Sequence, residues 1–123
     1  MGGRRLGGRR AFAAVLAFRC SVSGVFFQVY ARPNGTLAAR LGVMVSKRVI
    51  PLATARNYCK RLAREAFRVE GNTLDGVDIV VRLRIAVSPA LSVAARRELR
   101  DLLLRAQRLS RRPGAAQRHK DGD

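Results

Sequence analysis

The sequence predicts a mixed α/β domain in which strands and amphipathic helices share one apolar core. Three observations carry this. Val77, Ile79, Val81, Leu83 and Ile85 alternate with the residues between them, the period of a strand. Residues 25–31 and 41–46 are short apolar runs, the first rich in β-branched and aromatic side chains, separated by turn residues. Residues 11–18, 54–69 and 92–109 space their apolar groups at helical intervals instead.

Taken in order, residues 1–8 are rich in Gly and Arg and are expected to be flexible. A short first helix follows, with Ala11, Phe12, Val15, Leu16 and Phe18 supplying its apolar side. A brief strand near Ser21 is allowed by the sequence without being fixed by it. The strand over 25–31 runs into Arg32-Pro33-Asn34-Gly35, a turn signal that places 41–46 as its hairpin partner. Pro51 marks a loop, and Thr54 is the expected N-cap of a helix stopping at Gly71-Asn72. A strand over 77–87 ends at Ser88-Pro89. Ser92 is then placed to cap a last helix that buries Val93, Leu99, Leu102, Leu103 and Ala106. The folded domain is expected over 9–109, leaving 110–123 as a disordered basic tail.

Charge narrows the function. The chain has 25 Lys and Arg against 8 Asp and Glu, a net charge of +17. Such an excess repels itself in a compact body and calls for a polyanionic partner. Arg dominates, and its planar guanidinium suits phosphate and base faces. Cys20 and Cys59 are too few for a disulfide framework and read as reduced thiols. His119 is the only histidine, which argues against a zinc site or a His-dependent triad. Arg9-Arg10-Ala11-Phe12 has the look of a twin-arginine export signal. The apolar stretch after it is only eight residues long and lacks a cleavage site, so a cytoplasmic protein with no membrane partner is expected.

The helix over 54–69 holds the most specific pattern. At about 100° per residue, Arg56, Asn57, Lys60, Arg61, Arg64 and Arg68 share one arc. Ala55, Tyr58, Cys59, Leu62, Ala63, Ala66 and Val69 share the other. An ordinary solvated face interleaves Glu with Lys, whereas here Glu65 alone borders the cations. Five uncompensated cations on one face are suited to an RNA backbone.

These residues resemble a known family. Arg40-Leu41-Gly42-Val43-Met44-Val45-Ser46-Lys47-Arg48, then Ala55-Arg56-Asn57, Lys60-Arg61 and Arg64-Glu65-Ala66-Phe67-Arg68, is similar to the signature of the bacterial ribonuclease P protein component. In that family a Leu-Gly strand ends in Ser-Lys-Lys or similar, and a loop leads to a helix bearing Arg-Asn-Arg, Lys-Arg and Arg-Glu. Order and spacing match from about Phe12 to Leu109. The chain departs at Tyr58, where the motif has its second Arg, and at Leu16, where a second helix aromatic is usual.

The resemblance implies a two-layer sandwich of ribosomal-protein type, ordered α-β-β-β-α-β-α with a left-handed βαβ crossover. It implies contact with the catalytic RNA through Lys47, Arg48, Arg56, Asn57, Lys60, Arg61, Arg64 and Arg68. It also implies a cleft between the first helix and the sheet that receives the single-stranded 5′ leader of precursor tRNA, lined by Phe12, Phe27 and Tyr30. No residue of the protein is catalytic in that scheme. The RNA holds the Mg²⁺ ions, and the protein binds no metal or cofactor and needs no protein partner. Rival readings are a ribosomal protein, a protein-only metal nuclease and a helix-turn-helix DNA binder. Asp75 and Asp78 read as turn and strand-start residues, not as the clustered carboxylates a metal nuclease needs. Strands on both sides of the basic helix disfavour a helix-turn-helix.

Overall fold

The computed structural model describes residues 4–71, 73–112, 114 and 119–120. Its elements are β1 (Arg4–Arg5), α1 (Gly8–Phe18), β2 (Ser21–Ser23), β3 (Phe27–Pro33), β4 (Arg40–Met44), α2 (Ala53–Glu70), β5 (Val77–Leu83), a 3-10 turn (Pro89–Leu91), α3 (Ser92–Ser110) and β6 (His119–Lys120). Without the two-residue edge strands β1 and β6, the order is the expected α-β-β-β-α-β-α. The sheet runs β1-β4-β5-β3-β2-β6.

The predicted hairpin is not formed. β5 lies between β3 and β4, antiparallel to the first and parallel to the second. The reason is burial. Val77 through Val81 are all buried, on both faces, and a strand apolar on both faces belongs at the centre of a sheet. The chain leaving β3 therefore crosses to the far side of β5, and Asn34 holds that crossing. Its side chain donates to the Ala38 carbonyl at 2.8 Å and accepts from the Thr36 N–H at 2.9 Å. β5 also stops at Leu83, earlier than the alternation suggests, and Ile85 is exposed.

On one sheet face α2 and α3 pack together, and Cys59, Leu62, Ala63, Phe67, Leu99, Leu102, Leu103 and Ala106 complete the main core with Phe27, Val29, Ile79 and Val81. On the other face α1 lies across the sheet, and Val15 meets Val80 and Leu6 in a smaller cluster. Leu6 is buried and its N–H bonds the Leu41 carbonyl at 2.7 Å, so part of the N-terminal segment predicted as flexible is packed. Of the predicted tail, residues 113, 115–118 and 121–123 lie outside the described residues, as does Asn72 of the predicted stop.

Two predicted caps move. Leu52 precedes α2, leaving Thr54 inside its first turn, and α3 is entered from the 3-10 turn, leaving Ser92 as its first residue. Val69 and Val93, assigned by spacing to buried sides, are exposed near the ends of α2 and α3.

Candidate RNA interface

α2 divides as its sequence demands. Cys59, Leu62, Ala63 and Phe67 are buried, while Asn57, Arg61, Arg64 and Arg68 are exposed and Lys60 is half-buried. Its two acids are spent on α3. Glu65 pairs with Arg96 at 2.9 Å and Glu70 with Arg100 at 3.2 Å. Among the described residues no ion pair involves Lys60, Arg61, Arg64 or Arg68. Both acids brace the helix pair, and the outward face keeps its full positive charge.

Arg56 behaves differently from its neighbours on the arc. Its guanidinium donates to the carbonyls of Ile50 at 3.0 Å and Pro51 at 2.7 Å, fixing the loop that enters α2. Lys47 and Arg48 are exposed on the preceding turn. Ser46 shapes that turn, its hydroxyl accepting the Arg48 N–H at 3.0 Å and its carbonyl the Ile50 N–H at 2.9 Å. Tyr58 packs against the main core, a structural place for the residue standing in the motif's arginine position.

A cleft of about 430 Å³ opens between α1 and the sheet. Leu16, Tyr30, Met44, Ser46 and Arg82 line it. Phe12 is not among the lining residues and packs instead against the smaller cluster and Gly42, whose backbone the ring approaches so closely that a Cβ there would lie 2.3 Å from the ring. Phe27 does not belong to this cleft. It is fully buried on the opposite face of β3, among the residues that α2 and α3 cover. Successive strand residues face opposite sides, so Tyr30 and Phe27, three apart, cannot share a face. Met44 and Arg82 went unnoticed in the sequence because their neighbourhood depends on register. Tyr30, Val80 and Gly42 form one row across the three strands, and Gln28, Arg82 and Met44 form the next. Strand parity would have found them once β5 was known to be central.

Asp78 faces the same side and is 2% exposed. The Arg40 guanidinium donates to both its oxygens at 2.7 Å, and the Asn34 amide adds a bond at 2.9 Å. The Asp78 hydrogen bond, against some desolvation, raises the Arg40 pKa above its already high ordinary value, so this cation is permanent. It is a structural tie between β4 and β5. Among the described residues no three His, Cys, Asp or Glu side chains are grouped as a metal site.

A model of the ribonuclease P family matches residues 2–107. The chain belongs to the ribonuclease P protein family. The ribonuclease P protein component of Azoarcus sp. is 39% identical over 102 residues, covering 83% of this chain and 85% of that protein. That of Chromobacterium violaceum is 51% identical over 75 residues, 61% of this chain and 62% of its relative. The ribonuclease P protein of Thermotoga maritima superposes with a TM-score of 0.70 at 34% identity, covering 83% of this chain and 96% of that one. The Staphylococcus aureus protein gives 0.65 at 27%, covering 89% and 96%. The ribonuclease P fold thus accommodates both departures, Tyr58 and Leu16. Among the described residues no helix is long and apolar enough to cross a membrane.

Proposed function

We propose that this chain is a cytoplasmic ribonuclease P subunit that binds the catalytic RNA through the outward face of α2 and the turn at Lys47 and Arg48. It holds the 5′ leader of precursor tRNA in the cleft between α1 and the sheet. The carrying observation is the diversion of Glu65 and Glu70 to α3, which leaves Lys60, Arg61, Arg64 and Arg68 unneutralised on one exposed face. An RNA backbone supplies the missing charge, and release of its counterions drives binding.

The cleft suits unpaired nucleotides. Tyr30 offers a ring for stacking and a hydroxyl that tolerates a wet edge, with Leu16 and Met44 as apolar walls and Arg82 for a phosphate. Hydrolysis itself is assigned to the RNA, where bound Mg²⁺ would supply an activated water and charge stabilisation of the leaving oxygen. The protein's part is to position substrate, improve its binding and lower the Mg²⁺ requirement.

The test is cleavage of a 5′-labelled precursor tRNA at low Mg²⁺ by bacterial catalytic RNA, by this protein, or by both. Leader release only with both present is expected. Cleavage by protein alone would make it a nuclease in its own right, and no stimulation of the RNA would leave a ribosomal-type RNA binder. In the same assay Tyr30→Ala is expected to weaken leader-bearing precursor by about tenfold, the loss of one stacked base, while binding of mature tRNA is unchanged.

A further inference from the structure

The basic surface continues past the cleft. Arg82 borders both the cleft and a wider groove of about 1100 Å³ that also reaches Gln28 and Arg84 at the end of the sheet. The far side of that groove is Arg105 on α3, and Arg105 borders in turn a third hollow of about 300 Å³ with Arg108 and Arg112. Two shared arginines therefore join three concavities into one path, from α1 past the turn between β2 and β3 to the end of α3.

Arg105 and Arg108 stand i, i+3 on α3, Arg112 follows just past its end on the same hollow, and all three are exposed, so they form a stripe. Two acids, Glu98 and Asp101, lie along the path against five arginines, so its charge stays positive. Glu98 accepts the N–H groups of Val25, Phe26 and Phe27 at 2.7, 2.8 and 3.0 Å, which occupies both its oxygens. Asp101 reaches Arg105 at 3.5 Å, an exposed i, i+4 pair that a phosphate can displace. Arg84 donates to the Gly24 carbonyl at the groove wall. Among the described residues the groove beyond Tyr30 has no aromatic lining, so it is suited to track phosphates and not to stack bases.

We propose that the distal part of a long 5′ leader leaves the cleft past Arg82, follows this groove and ends on the Arg105, Arg108 and Arg112 stripe. The proposal rests on the reading of the cleft as the leader site. It makes the protein's contribution depend on leader length, with the first nucleotides read in the cleft and later ones held by charge alone.

The experiment uses holoenzyme reconstituted with bacterial catalytic RNA and precursor tRNAs carrying leaders of about 4 and about 12 nucleotides, within the range single-strand sites span. The wild type is expected to favour the long leader in kcat/KM by about tenfold at low salt, an advantage that shrinks as salt rises. The triple variant Arg105→Ala, Arg108→Ala, Arg112→Ala is expected to lose that advantage and to cleave the short-leader substrate as before. Ala favours helix, so α3 persists, and circular dichroism confirms it. Equal losses on both substrates would overturn the path and assign the stripe to the catalytic RNA or the tRNA body. Tyr30→Ala separates the two readings. If neither substrate responds to it, the cleft assignment falls and the path with it. If both respond while the arginine variant keeps the long-leader advantage, the path alone is overturned.

Discussion

At the turn from β2 to β3, one carboxylate replaces the backbone partners that three consecutive N–H groups lack. Both oxygens of Glu98 are used, and the carboxylate fills the space where a side chain on Gly24 would begin, 2.4 Å from its carbon. A side chain there would have to push the carboxylate off these three bonds. Bonds from N–H groups to a charged acceptor contribute about 1.5–3 kcal/mol each and are not additive. Glu98→Ala is therefore expected to cost about 3 kcal/mol in urea unfolding, with an unchanged denaturant slope. Glu98→Gln should recover part of this, because its single carbonyl oxygen can still accept. A cost within about 0.5 kcal/mol of zero, the ordinary surface range, would show that the three N–H groups are satisfied by water.

The basic face of α2 is set at the level of the element, because helical spacing alone decides which side chains face out. Replacing Lys60, Arg61 and Arg64 by Ala removes three cations whose loss leaves the core untouched. Arg56 is left out because it holds the Ile50 and Pro51 carbonyls, and its removal would mix a loop defect with a charge defect. Each lost phosphate contact lowers the slope of log K against log salt by roughly 0.7 to 0.9, so a fall of about 2 to 3 is expected in binding to the catalytic RNA. An unchanged slope would put the RNA on another surface. The face was legible in the sequence because a helix needs only its own period to be read. The sheet was less so. Parity along β3 already separates Tyr30 from Phe27, but the row that Tyr30 forms through Val80 with Gly42 depends on which strand lies in the middle. The turn after Pro33 suggested a hairpin, and burial on both faces of β5 overrode it. That burial is visible in the run Val77 to Val81 only if Asp78 is allowed inside, which its bond to Arg40 makes possible.

Across the whole molecule, +17 is carried by 123 residues, and of the acids paired among the described residues Asp78 serves inside the fold, Glu65 and Glu70 between α2 and α3, and Asp101 only on the surface of α3. Like charges packed into so small a body oppose its compaction, and that repulsion is felt most when the protein stands alone. Salt should therefore stabilise the free protein, unlike one held mainly by exposed ion pairs. Between about 0.05 M and about 0.5 M salt, the screening length falls by about threefold, and a gain near 1 kcal/mol would raise Tm by roughly 5 °C. Chloride is the salt to use first, since sulfate also strengthens apolar burial at any charge. Bound RNA should act in the same direction and further, adding about 2.7 kcal/mol when present at a hundredfold excess over its Kd. The two effects then compete in a defined way: raising salt stabilises the free protein while weakening the RNA complex. Differential scanning of the protein with and without catalytic RNA should show the two Tm values converging as salt rises. Parallel curves would mean that the complex is held by contacts other than the basic face, and a free-protein Tm that falls with salt would mean that its ion pairs outweigh its repulsion.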